Sequence, residues 1–101
     1  MNRLEDTIKL MNSSDYKERF MAEYWQTKIR YEKLKKFNNR IEAATISEKV
    51  DMPLHDCPDH LLKEQQSFMG YYLNTLEVRA IIEGIDLDSA QHVYLNTVGN
   101  E

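Results

Sequence analysis

Cysteine is nearly missing from this chain. Cys57 is the single one in 101 residues, which excludes an intrachain disulfide and gives no sign of an oxidising compartment. Glycine and proline are almost as scarce, at three and two residues, so few positions can break a helix or form a tight turn. Long apolar runs are missing too. None reaches the roughly 18 residues that a membrane-spanning helix needs, and no signal-peptide core follows Met1, so a cytoplasmic protein without membrane attachment is expected. Glycine-rich phosphate loops, GxSxG elbows and HExxH pairs are absent, so neither catalysis nor a cofactor is indicated. The net charge of -4 argues against direct nucleic-acid binding.

What remains is helical periodicity. Leu4, Ile8 and Met11 fit a short first helix, interrupted at Asn12, Ser13 and Ser14. Ser14 or Asp15 suits an N-cap, and Asp15 and Glu18 put negative charge at the positive end of a new helix. Phe20, Tyr24, Thr27, Tyr31, Leu34, Asn38 and Ile41 then advance in steps of four and three, a heptad-like seam on a helix over about 15–44. Residues 45–57 hold Pro53 and no period, and read as a loop. Pro58 suits the first position of a second helix over about 58–83, with Leu62, Gln65, Met69, Tyr72, Leu76, Arg79 and Glu83 as its seam, widened by Leu61, Phe68, Leu73 and Ala80. Gly84 marks its C-terminal cap. In the tail, 85–101, Asp86 is a further N-cap candidate, and Ala90, Val93, Tyr94 and Val98 suggest a last short helix. The expected fold is all-α: one antiparallel helical hairpin with short flanking helices.

A hairpin imposes a register. Tyr24 is expected near Val78 and Arg79, Tyr31 near Tyr71 and Tyr72, and Leu34 near Phe68. Two long helices touch along one stripe, which leaves Met21, Trp25, Phe37, Phe68 and Leu73 beside or outside it. Covering them calls for further copies, so a homo-oligomer is expected. Gly70 costs a helix about 1 kcal/mol relative to Ala, which suggests close approach of a backbone or ligand, or else a tolerated surface glycine.

Charge is unevenly spread. Lys28, Arg30, Lys33, Lys35, Lys36 and Arg40 crowd one stretch opposed only by Glu32, whereas acids dominate from Asp51 onward. This is either a solvated helix face or an anion site completed by oligomer symmetry. Tyr16, Tyr24, Trp25, Tyr31, Tyr71 and Tyr72 offer flat faces for base stacking, and Arg19, Lys28 and Arg30 offer phosphate contacts. Arg79 lies on the seam with Glu83 one turn later and Glu23 expected across the hairpin. It reads either as a paired structural arginine or as a ligand arginine. His55, Asp56, Cys57, Asp59 and His60 have metal-compatible side chains but no metal-site spacing, so no metal is assigned to them.

The stretches Asp15-Tyr-Lys-Glu-Arg-Phe-Met-Ala-Glu-Tyr, Lys28-Ile-Arg-Tyr-Glu-Lys-Leu, Leu61-Leu-Lys-Glu-Gln, Met69-Gly-Tyr-Tyr-Leu and Leu76-Glu-Val-Arg-Ala resemble a family of small proteins from phages and prophages of Gram-positive bacteria, with relatives in crAss-like phages. In architecture the hairpin is similar to phage sponges that sequester cyclic nucleotide alarm signals between protomers. These resemblances imply a non-enzymatic accessory protein acting in the host cytoplasm against host defence. Tyr24, Trp25 and Tyr71 would stack bases, and Arg19, Lys28, Arg30 or Arg79 would hold phosphate. The alternatives are an acidic inhibitor of a host defence nuclease, or a structural phage bundle.

Overall fold

The computed structural model describes residues 3–90. Among them the chain is all-helical. A 3-10 turn, Leu4–Thr7, runs into the short helix α1, Ile8–Met11. Two long helices follow, α2 at Tyr16–Ile46 and α3 at Asp59–Glu83. At 1.5 Å per residue, α2 is about 46 Å long.

The caps explain the boundaries. Asp15, in extended backbone, accepts from the Lys17 N–H at 2.9 Å and so satisfies a free donor of the first turn of α2. Ser13 in turn accepts from the Asp15 N–H at 3.0 Å. The helix passes its expected end at Ala44 and stops at Ile46, where Ser47 is extended. Pro58 is the N-cap of α3 rather than its first residue, and its carbonyl accepts from Leu61 and Leu62. Gly84 ends α3 at φ 69°, in the left-handed region, as a C-terminal cap requires.

The helices α2 and α3 are antiparallel. Tyr16 meets Glu83, Tyr24 meets Glu77, Tyr31 meets Gly70, and Asn38 meets Leu62 and Gln66. At Tyr24, Tyr31 and Asn38 the pairing lies within about two residues of the expected register, and at Tyr16 it is about three residues off. The face of α3 differs more. Leu73, Leu76 and Ala80 are buried, continuing Leu62, Gln66 and Met69 in steps of four and three, while Gln65, Tyr72 and Arg79 are exposed. The seam is rotated by one position because Leu73 and Ala80 gain more from leaving water than Tyr72 and Arg79 would. Thr27 also does not pair across the seam; its hydroxyl donates to the Glu23 carbonyl of its own helix at 2.9 Å.

A second layer covers the other side of α2. On the N-terminal segment, Thr7 and Leu10 are buried and Leu4 packs partly against the core, while Ile8 and Met11 face solvent. The 3-10 start accounts for this, since three residues per turn align Leu4, Thr7 and Leu10. The Thr7 hydroxyl donates to the Leu4 carbonyl at 2.6 Å and accepts from the Gln26 amide at 3.0 Å, so the buried group is satisfied. After Gly84 the chain turns back and buries Ile85 and Ala90. Asp86 caps this turn, accepting from the Asp88 N–H at 3.1 Å. The indole of Trp25 donates to the Leu87 carbonyl at 2.9 Å, and Ser89 contacts the Met21 sulfur. Val93, Tyr94 and Val98 lie outside the described residues.

The tail, the seam and the loop together correct the expectation that Met21, Trp25, Phe37 and Leu73 need another hairpin. Met21 and Leu73 are buried, Trp25 is half-buried under the tail, and Phe37 meets the His55 ring edge-on at 5.9 Å. Phe68 alone of that group stays largely exposed, at 64%.

Candidate functional site

The two long helices leave an open groove of about 400 Å³ on one side of their contact, lined by Tyr31, Gln66, Ser67, Gly70, Tyr71 and Asn74. Its shape follows from a missing side chain. A β-carbon on Gly70 would stand 3.4 Å from Cε1 of Tyr31, so the tyrosine ring occupies the space that a larger residue would fill. Gln66, Gly70 and Asn74 succeed one another at four-residue steps and share a face of α3, with Ser67 and Tyr71 beside them. Gln66 is anchored: its Oε1 accepts from the Asn38 amide at 2.8 Å, and the same Asn38 nitrogen donates to the Leu62 carbonyl at 3.1 Å. The groove therefore offers two aromatic rings, two carboxamides and a hydroxyl around a glycine floor.

Cations border it. The Lys28 ammonium stands 5.8 Å from the centre of the Tyr31 ring and pairs with Glu32 at 3.2 Å. Lys35 is four residues beyond Tyr31 and Lys63 four before Ser67, so each lies one turn further along a helix that lines the groove. The Lys28–Glu32 pair is a surface pair of the kind worth about 0–1 kcal/mol, so Lys28 can change partner at small cost.

The seven candidate residues do not form one site. Tyr71 lines the groove and is 75% exposed. Lys28 sits beside it through Tyr31. Arg30 is exposed but turned about 100° around α2 from Tyr31. Arg19 donates to the Ser13 carbonyl at 2.9 Å and ties α2 to the N-terminal segment. Tyr24 is buried edge-on against Trp25, with centroids 5.2 Å apart, and donates to Glu77 at 3.1 Å. Burial, with the Glu77 carboxylate beside it, pushes the Tyr24 hydroxyl up to about 12. Trp25 is committed to the tail.

Arg79 belongs to a separate cluster. It donates to Glu83 at 3.0 Å and to the Tyr16 hydroxyl at 2.7 Å, and its guanidinium lies 5.0 Å from the Phe20 ring centre. Glu23, expected across from Arg79, is instead the acceptor of the Tyr72 hydroxyl.

Gln66, Ser67 and Asn74 were not singled out by the periodicity, since polar side chains off the seam read as ordinary surface. Gly70 was the available signal. Cys57 in the loop and His60 in the first turn of α3 are exposed, and His55 bridges the Pro53 carbonyl and Asp59 at 2.7 Å each. Among the described residues no group of three or more His, Cys, Asp or Glu is placed to hold a metal. No described helix is long and apolar enough to cross a membrane.

These features define a small all-helical hairpin protein with a solvent-open groove of aromatic rings and amides. Residues 14–82 match the Sequestin family, a span that takes in α2, the loop and nearly all of α3. The chain belongs to the Sequestin family. No curated protein and no solved structure matches it.

Proposed function

We propose that this protein sequesters a small anionic ligand carrying a nucleobase, binding it as an oligomer and releasing it unaltered. The groove between Tyr31 and Tyr71 carries this reading. Two rings there flank carboxamides that match the donor and acceptor edge of a base, Lys28 stands over Tyr31, and the helical spacing puts Lys35 and Lys63 one turn beyond the lining residues, where phosphate charge would be met. A stacked base is worth about 1–3 kcal/mol, so one base alone binds weakly. A ligand with two or three bases joined through phosphates engages more than one groove and gains accordingly.

A cyclic di- or trinucleotide alarm signal has that chemistry. The family name agrees with sequestration, and the resemblance to phage proteins gives the setting: counter-defence in the host cytoplasm. Sequestration needs affinity and copy number but no acid, base or nucleophile aimed at the ligand. The groove's uncharged amides and hydroxyl suit that task.

Calorimetry with a panel of cyclic di- and trinucleotides tests the proposal. The expected result is tight, saturable binding of at least one member, with the nucleotide recovered intact after the protein is denatured. Absence of heat across the panel, or recovery of a cleaved product, overturns it.

A further inference from the structure

The helix α3 carries a second apolar stripe. Leu61, Phe68, Tyr71, Val78 and Ile82 are all exposed, Ile82 to 79%. At about 100° per residue they share one face with Glu64 and Thr75, turned roughly 150° from the Leu62–Leu73–Leu76–Ala80 seam. The helix is thus apolar on both sides, and among the described residues only one side is covered. Large side chains so exposed offer on the order of 100 Å² of apolar surface apiece. With the polar positions between them, they approach the ~800 Å² per partner of a standard protein interface.

We propose that this stripe is the surface on which a second copy of the chain docks, with the two α3 helices antiparallel about a two-fold axis between Tyr71 and Tyr72. Charge selects that arrangement. It sets Leu61 against the partner's Ile82, Phe68 against the partner's Thr75, and Glu64 against the partner's Arg79, each twice by symmetry. A parallel pairing sets Glu64 on Glu64 and Arg79 on Arg79, and both contacts repel. Arg79 already donates to Glu83 and Tyr16, but a guanidinium has five N–H donors, so some remain for a carboxylate of the partner.

The dimer has a consequence for the groove. Tyr71 borders both the groove and the stripe. A partner helix on the stripe walls the groove's open side and brings two Tyr71 rings together near the axis. Closure of the groove by the second copy rests on the ligand-binding reading above, whereas self-association does not.

Sedimentation of the full chain without nucleotide reads the interface directly. A dimer at micromolar concentration is expected, with Phe68→Asp and Ile82→Asp each shifting it to monomer while the helical circular-dichroism signal is unchanged. A wild-type monomer, or an Ile82→Asp variant that stays dimeric, overturns the proposal. Disulfide trapping in a Cys57→Ser background reads the direction. Tyr71→Cys should cross-link to itself, and Leu61→Cys should cross-link to Ile82→Cys in a mixture. Ile82→Cys cross-linking to itself would overturn the antiparallel arrangement. A dimer with these properties that takes up no cyclic nucleotide supports the interface and removes the ligand reading. A monomer that binds nucleotide removes the interface and keeps the groove as a ligand site, but overturns binding as an oligomer.

Discussion

The ring of Tyr31 packs onto Gly70, reaching 3.4 Å from the position a β-carbon would take there. Gly70 has ordinary helical backbone, and Gly84 alone among the described glycines has positive φ. Its lack of a side chain therefore serves space rather than conformation. Gly70→Ala should stabilise the helix by about 0.5–1 kcal/mol, because the new methyl makes an ordinary contact with Tyr31 and the unfolded chain loses freedom. The same methyl occupies the floor of the groove. Urea denaturation should show the gain, and calorimetry with the bound nucleotide should show weaker affinity. A gain in stability with unchanged affinity would remove Gly70 from the ligand site.

Asn38 is the buried polar residue of the long seam, and its amide is satisfied twice on α3, by the Leu62 carbonyl and by Gln66. Removing it leaves the Gln66 side chain without its anchor inside a half-buried contact. Asn38→Ala should cost about 1–3 kcal/mol, the penalty of an unmade buried hydrogen bond plus a small void. Asn38→Leu should cost less, since it replaces polar atoms with apolar volume. A denaturant series with equal losses for both variants would mean that the shared loss of the hydrogen bonds dominates and that the void contributes little.

The hairpin was legible because two signals agreed: a four-three apolar spacing on each helix, and breakers at Asp15, Pro58 and Gly84 that fall at observed helix ends. The face of α3 was harder to read. Tyr72 and Arg79 mix apolar and polar atoms and fit a seam or its edge equally well. Met69 and Leu76 belong to either stripe and do not decide between them; the wholly apolar Leu73 and Ala80 do. The N-terminal segment misled for a geometric reason, since a spacing of four assumes an α-helix while the chain starts with a 3-10 turn. Trp25 and Met21 looked unpartnered because their cover, Leu87 and Ser89, comes from a tail whose docking no local pattern announces. The groove was the least legible part. It is made of an absence at Gly70 and of small polar residues whose chemistry resembles ordinary surface.

His55 holds the loop against the start of α3, with Nδ1 on the Pro53 carbonyl and Nε2 on Asp59. Both partners are acceptors, so both ring nitrogens must carry protons and the bridge requires the imidazolium. The Pro53 carbonyl first, and the Asp59 carboxylate next, raise the His55 pKa above the ordinary 6.5. A group whose pKa rises on folding binds its proton more tightly in the folded state. Its contribution to stability is complete below pH 6.5 and fades as pH climbs through the raised value. Chemical-shift titration should find His55 titrating above 6.5, and His55→Gln should be less stable than the wild type in mild acid, with the gap closing in alkali. A gap that widens with pH would contradict the imidazolium bridge.

Tyr24 and Tyr71 should respond to mutation in opposite ways, because one is buried in the hairpin and the other faces the groove. Tyr24→Phe removes a hydrogen bond to Glu77 and keeps the ring against Trp25, so a loss of about 0.5–1.5 kcal/mol in stability is expected with ligand affinity unchanged. Its hydroxyl, held near 12 by burial and Glu77, stays protonated across the neutral range, so this contribution is flat with pH there. Tyr71→Ala removes a ring that is exposed in the protomer, so in dilute solution, below the concentration of self-association, the loss of stability should be below about 0.5 kcal/mol. If the ring stacks on a base, affinity should fall by roughly fivefold or more, since stacking is worth about 1–3 kcal/mol and each 1.4 kcal/mol is tenfold. Paired denaturation and calorimetry on both variants separate the roles. If Tyr24→Phe weakens binding more than Tyr71→Ala does, the ligand sits along the Tyr24–Glu77 line rather than in the groove.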